Sequence, residues 1–125
     1  MDRHLSTARR NKLALIWVGE NTDEVRTFSY FALNREVEQM ANVLKAMGVR
    51  KGDVVTIYLP RIPEIFFAML ACAKIGAVHS VVFAGYSSEA LNARIYGSES
   101  KVVITVDGSW INGKVFPMKQ IVDEP

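Results

Sequence analysis

The stretch whose residue types and spacing come nearest to phosphate chemistry is 108–114, where Gly108, Gly113 and Lys114 fall in a GxxxxGK spacing behind the apolar run 102–106. A phosphate loop of that kind wraps its ligand with backbone N–H groups of small residues, and it needs a hydroxyl after the lysine to ligate Mg²⁺. Val115 has no hydroxyl, and Trp110 and Ile111 are bulky for a loop that must close round a phosphate chain. The spacing is a near miss. Lys114 is left either as a lone point charge for a phosphate or as an exposed structural lysine. A second position of interest is Gly85, in the segment Phe83-Ala84-Gly85-Tyr86. Its missing side chain lets a thin ligand pass close to backbone, or it serves the turn alone, and the residues by themselves leave both readings open.

Other reactive residue types carry plainer expectations. His79 enters an apolar run and reads as a hydrogen-bonded core histidine, since no serine, cysteine or carboxylate nearby has the spacing of a triad. Cys72 lies inside an apolar helical run and reads as a buried, inert thiol. His4 reads as tail, and the pairs Arg9-Arg10 and Arg50-Lys51 as solvated loop charges. Glu64 and Glu89 fall in first turns of helices, where a negative charge suits the dipole without any catalytic role. No catalytic residue and no metal site is expected.

The elements that must position these residues follow from periodicity and punctuation. Residues 13–17 and 26–29 read as two strands joined by the polar turn 20–23, an antiparallel hairpin. Ser29 caps a long helix over 30–47, whose apolar positions Leu33, Val37, Met40, Ala41, Leu44 and Met47 recur at steps of three and four, and Gly48 ends it. A second helix runs from Pro63 to Ile75 with Gly76 as its left-handed terminal residue. Ser87 or Ser88 caps a third helix beginning near Glu89. The runs 54–59 and 102–106 are nearly continuous β-branched stretches, which suggests strands covered on both faces and not at an edge. With a further strand over 78–83, the order strand, helix, strand, helix, strand predicts an α/β fold: a parallel sheet flanked by helices, preceded by the hairpin. Open sheets of this kind bind ligands beyond the carboxyl ends of their strands, which selects the loops 60–63, 83–86 and 107–114 along one rim.

Composition bounds the function. The chain has 125 residues, half of them hydrophobic, enough for one domain with a real core. The 15 basic and 13 acidic residues give a net charge of only +2, and their scatter argues against a nucleic-acid binder. One cysteine excludes an internal disulfide and fits a reducing cytoplasm. The first ten residues lack the apolar stretch of a secretory signal, and the apolar run 65–73 is too short to span a bilayer, so no membrane association is expected.

The segments GVRKGDVVTIYLPRIPEIFFAMLACA, KIGAVHSVVFAGYSSEAL and KVVITVDGSWINGKVFPMK, with LALIW, RTFSY and MANVLKAMGV before them, resemble the N-terminal domain of the AMP-forming acetyl-CoA synthetases, within the adenylate-forming acyl-CoA synthetase superfamily. The resemblance extends from about Asp2 onward, and HSVVFAG followed by DG and GK points to the acetate or propionate branch. It implies a ligase that activates a short carboxylate with Mg-ATP to an acyl-adenylate and passes the acyl group to coenzyme A. By the same resemblance, residues 1–125 form a single partial AMP-binding domain. The family's ATP phosphate loop, adenine motif and C-terminal lysine are expected further along a longer chain, so this chain alone is expected to be inactive.

What carries over residue by residue is the coenzyme A side. The resemblance places Phe83 and Gly85 beside the pantetheine arm and Asn112, Gly113 and Lys114 beside the nucleotide. Where the family commonly has an arginine before its GGK, this chain has Ile111, and one lysine does not replace a guanidinium that stacks on adenine or forks onto phosphate. The second reading is a stand-alone binding or interaction module that keeps part of the coenzyme A rim without ATP chemistry. Uncovered apolar faces at Ile65, Phe66 and Phe67 predict self-association or association with the missing domains.

Overall fold

A computed structural model of the chain describes residues 2–19, 23–82 and 87–106, and the backbone of the short strands at 109–111 and 114–116. Two 3-10 turns, Asp2–His4 and Ala8–Asn11, lead into β1 (Leu13–Val18) and β2 (Val25–Ser29). Then follow α1 (Tyr30–Ala46), β3 (Val54–Ile57), α2 (Glu64–Ile75), β4 (Val78–Val81), α3 (Ser88–Ser98), β5 (Val102–Ile104), β6 (Ser109–Ile111) and β7 (Lys114–Phe116). β1 and β2 pair antiparallel, as the hairpin reading expected. β3 pairs in parallel with β4 on one side and β5 on the other. This is the α/β arrangement that the alternation of strand and helix signals predicted.

Local chemistry explains the helix boundaries. Ser29 Oγ accepts the Ala32 N–H at 3.1 Å and starts α1. Ser87, rather than Ser88, caps α3, its Oγ accepting from the Ala90 N–H at 3.3 Å. Pro63 occupies the cap position of α2, and Gly76 closes that helix at φ 77°, a conformation that costs a side chain dearly and glycine little.

The two longer helices solve different burial problems. α1 is amphipathic and buries Leu33, Val37, Ala41 and Leu44 along one stripe. α2 is apolar nearly all round, and it packs against α1 on one side and against β3 and β4 on the other. Phe67, Ala71 and Cys72 of α2 join Val55 of β3, Val102 of β5 and the α1 stripe in one core cluster. Phe28 of β2 meets Phe67 edge to face, with ring centroids 5.2 Å apart, and so ties the hairpin to that core. Fully burying a side chain such as Leu44 or Val37 contributes roughly 1.5–3 kcal/mol.

Four expectations are corrected. β5 is not an inner strand: among the described residues it pairs only with β3, and β3 alone lies between two partners. A β-branched run reports covered faces, not lateral position. His79 is exposed rather than a core histidine, because β4 is the other outer strand and its Val78 and Val81 are 52% and 44% exposed. His4 is no loose tail, for it sits in the first 3-10 turn with its ring 4.8 Å from that of Tyr30. On α2, only Phe66 is exposed as expected; Ile65 is half-buried and Phe67 is buried against Phe28.

Candidate functional site

The strand register defines a common rim. Ile57 of β3 is opposite Val81 of β4 and Ile104 of β5, so the three parallel strands reach their carboxyl ends side by side. Two backbone hydrogen bonds carry the sheet one step further. Tyr58 N–H donates to Ile104 O at 2.9 Å, and Val82 N–H donates to Ile57 O at 3.0 Å. Beyond them the chain leaves β3 through residues 58–63 toward α2, and the first turns of α2 and α3 both begin on this side of the sheet. A rim of strand ends and helix starts is where an open α/β sheet places its ligands.

The loop after β3 is held from outside the sheet. Trp17 of β1 donates its indole N–H to Arg61 O at 2.6 Å, a contact between residues 44 positions apart. Ile62 N–H donates to Pro60 O at 2.8 Å within the loop. Arg26 of β2 reaches Glu64 in the first turn of α2 at 3.2 Å, while its guanidinium lies 5.2 Å from the Phe28 ring centre. Opposite residues of an antiparallel pair share a face, and the pairs Trp17–Arg26 and Leu15–Phe28 together form the inner face of the hairpin. The hairpin thus serves as a brace for this part of the rim, a role the sequence reading did not assign to Trp17 or Arg61. Tyr58 was missed as well: its side chain is fully buried at the base of the loop, and burial pushes its phenol above the ordinary value.

Of the sequence-derived site residues, Phe83, Gly85, Asn112 and Gly113 lie outside the described residues. Lys114 opens β7, where its register partner across the antiparallel β6–β7 pair is Ile111. The GxxxxGK stretch therefore passes between two short strands, and Lys114 does not stand at the start of a helix. A triphosphate cradle of the strand-to-helix type does not fit this backbone. The signal that would have shown it is Asn112-Gly113 between Trp110-Ile111 and Val115-Phe116, a dipeptide strongly preferred in two-residue hairpin connections. Cys72 is buried in α2 with its thiol pushed up by desolvation, as expected of an inert cysteine. Among the described residues no group of His, Cys, Asp and Glu could hold a metal ion, and no helix is long and apolar enough to cross a membrane.

The model of the family described as AMP-binding enzyme matches residues 2–124. An acetyl-coenzyme A synthetase of Methanothrix thermoacetophila is 52% identical over 124 residues, which is 99% of this chain and 19% of that protein. One of Leptospira biflexa is 53% identical over 98% of the chain, and one of Yersinia pestis 51% over 99%. The chain spans 19% of the length of these curated relatives. A match that runs through both hairpins, all three helices and the parallel sheet makes this chain a member of the AMP-binding enzyme family.

Proposed function

We propose that the chain supplies the coenzyme A side of an AMP-forming ligase for acetate or propionate. The observation that carries the reading is 52% identity over 99% of the chain to an acetyl-coenzyme A synthetase, on a sheet whose three parallel strands end at one rim. In the full reaction a carboxylate oxygen of the acid attacks the α-phosphate of Mg-ATP and pyrophosphate leaves. The thiol of coenzyme A then attacks the acyl carbon, a thioester forms, and AMP departs with the bonding pair. Phe83 and Gly85 border the pantetheine arm, and Asn112, Gly113 and Lys114 border the nucleotide. Ile111 makes that nucleotide contact weaker than an arginine would.

No stretch of this chain carries the ATP step, since its one phosphate-like spacing runs into a strand at Lys114. Adenylation then depends on further polypeptide, and the rim works when the two associate. The hairpin offers a surface for this: Ile16, Val18 and Val25 share its outer face and are all more than half exposed. A buried, weakly acidic Cys72 thiol fits a reducing cytoplasm. The reading of a stand-alone module that binds coenzyme A without ATP chemistry rests on the same strand at Lys114.

Calorimetric titration of the purified chain with coenzyme A is the test. Saturable binding that weakens in Lys114→Gln is expected, and absence of heat at millimolar coenzyme A overturns the assignment. In the same preparation, ATP, acetate and Mg²⁺ should release no pyrophosphate. Release by the chain alone contradicts the division of labour proposed here.

A further inference from the structure

The charges of the first twelve residues are lopsided, with Arg3, His4, Arg9, Arg10 and Lys12 against the single acid Asp2. The fold gathers most of them. Arg3, His4, Thr7, Ala8, Arg9 and Lys12 line an open groove of about 590 Å³, and no carboxylate lies among its walls. Asp2 pairs instead with Lys74 of α2 at 3.5 Å. Arg26, Lys74 and Lys101 each have an acidic partner, whereas Arg3, Arg9 and Lys12 have none among the described residues.

The backbone that presents these groups is fixed. Thr7 Oγ1 accepts from the Arg9 N–H at 3.2 Å, Lys12 N–H donates to Arg9 O at 2.9 Å, and Tyr30 N–H donates to Lys12 O at 3.0 Å. The His4 ring leans on Tyr30 of α1, tilted by 46°. Partial desolvation, then the charges of Arg3, the amino terminus and Arg9, hold the His4 imidazole below its ordinary pKa. Repelling cations kept close together, without acids to neutralise them, are a standing attraction for an anion.

We propose that this groove binds a small phosphorylated anion. Two guanidinium forks and an ammonium suit phosphate oxygens better than a single carboxylate, and the volume falls within the roughly 300–1,000 Å³ of small-molecule sites. The site is separate from the rim described above. Lys12 stands at the start of β1, while Trp17, near the other end of that strand, touches the rim at Arg61; Lys74, the partner of Asp2, lies at the end of α2 remote from that loop. The assignment therefore does not depend on the ligase reading.

The experiment is calorimetric titration of the whole chain with inorganic pyrophosphate, inorganic phosphate and acetate at low salt, with NMR of the His4 ring. Pyrophosphate should bind saturably, more tightly than phosphate, with acetate silent and the His4 signals moving. Arg3→Gln with Arg9→Gln should weaken pyrophosphate by about tenfold or more. Lys45→Gln with Lys51→Gln, which removes the same charge elsewhere, should leave it within about twofold. Lys12→Gln provides a second variant should the double change impair folding, since the fold contacts of Lys12 are made by its backbone. The proposal is overturned by absence of saturable binding, by equal losses in the two double variants, or by binding that leaves the His4 signals in place.

Discussion

The two ends of the parallel sheet are built differently. At the amino end, side chains and turns lock onto one another. Asp53 accepts the Arg50 N–H at 2.7 Å and the Lys101 ammonium at 3.2 Å, and Lys101 also reaches Gly48 O at 2.7 Å. Ser100 Oγ accepts from both the N–H and the hydroxyl of Thr56, at 3.1 and 2.7 Å, and donates to Val102 O at 3.0 Å. At the carboxyl end the loop over 58–63 is held by backbone hydrogen bonds and by one indole reaching across from the hairpin. Side-chain cross-links tie the strand starts together at the amino end. At the other end the brace reaches the loop after β3 from outside the sheet.

The largest expected effect removes the packing both ends share. Phe67→Ala deletes a buried ring from the main core and its edge contact with Phe28, so it should cost about 3–5 kcal/mol in urea unfolding and release the hairpin from α2. A loss below about 1 kcal/mol would mean that the hairpin is not mounted on the core through this ring pair. Next comes a break confined to the amino end. Gly76→Ala forces a side chain into φ 77° with Lys51 Cγ 3.1 Å from the new Cβ, a cost of about 1–2 kcal/mol. Hydrogen exchange of Val78, whose N–H donates to Asp53 O at 2.8 Å, should quicken, and an unchanged rate would show that the α2 terminus does not set the start of β4.

Trp17→Phe is the corresponding break at the carboxyl end. It keeps an aromatic ring and removes only the donor to Arg61 O, so about 1 kcal/mol should be lost. The informative reading is local: Ile62 N–H should exchange faster while Val78 stays protected. Equal changes at both amides would erase the contrast between the ends.

What the sequence made legible was whatever depends on neighbours along the chain. Ser29, Ser87, Pro63 and Gly76 mark helix ends because a cap or a left-handed residue acts within four positions of itself. Lateral order is a property of pairing between distant segments, which is why β5 read as an inner strand and His79 as a core residue. His4 was read as tail and Arg9-Arg10 as loop, since 3-10 segments of three and four residues have no periodicity to detect. At the candidate site, the rim itself followed from the alternation of strands and helices. The brace did not, because nothing in a tryptophan and an arginine 44 residues apart announces an indole on a carbonyl. The β6–β7 pair was written in Asn112-Gly113, but the glycine-lysine spacing drew attention to the wrong chemistry.

The smallest effect tests whether charge contributes to the amino-end lock. The Arg50 N–H, then the Lys101 ammonium, hold the Asp53 carboxyl below the ordinary aspartate value, so in the folded chain it gives up its proton more readily than in the unfolded one. A depressed carboxylate contributes stability that is present above the unfolded pKa and is lost as pH falls through the folded one. Asp53→Asn keeps an oxygen to accept the Arg50 N–H but offers Lys101 no charge. At pH 7 and low salt the variant should be slightly less stable than the parent in urea. The gap should close as the pH falls from the ordinary aspartate value through the lower value of the folded chain, where the parent carboxyl becomes neutral too. It should also narrow in high salt, since Lys101 and Asp53 are both partly exposed. A gap that persists in acid would assign the lock to hydrogen-bond geometry alone, and no gap at neutral pH would leave the Lys101 contact without a part in holding β5 beside β3.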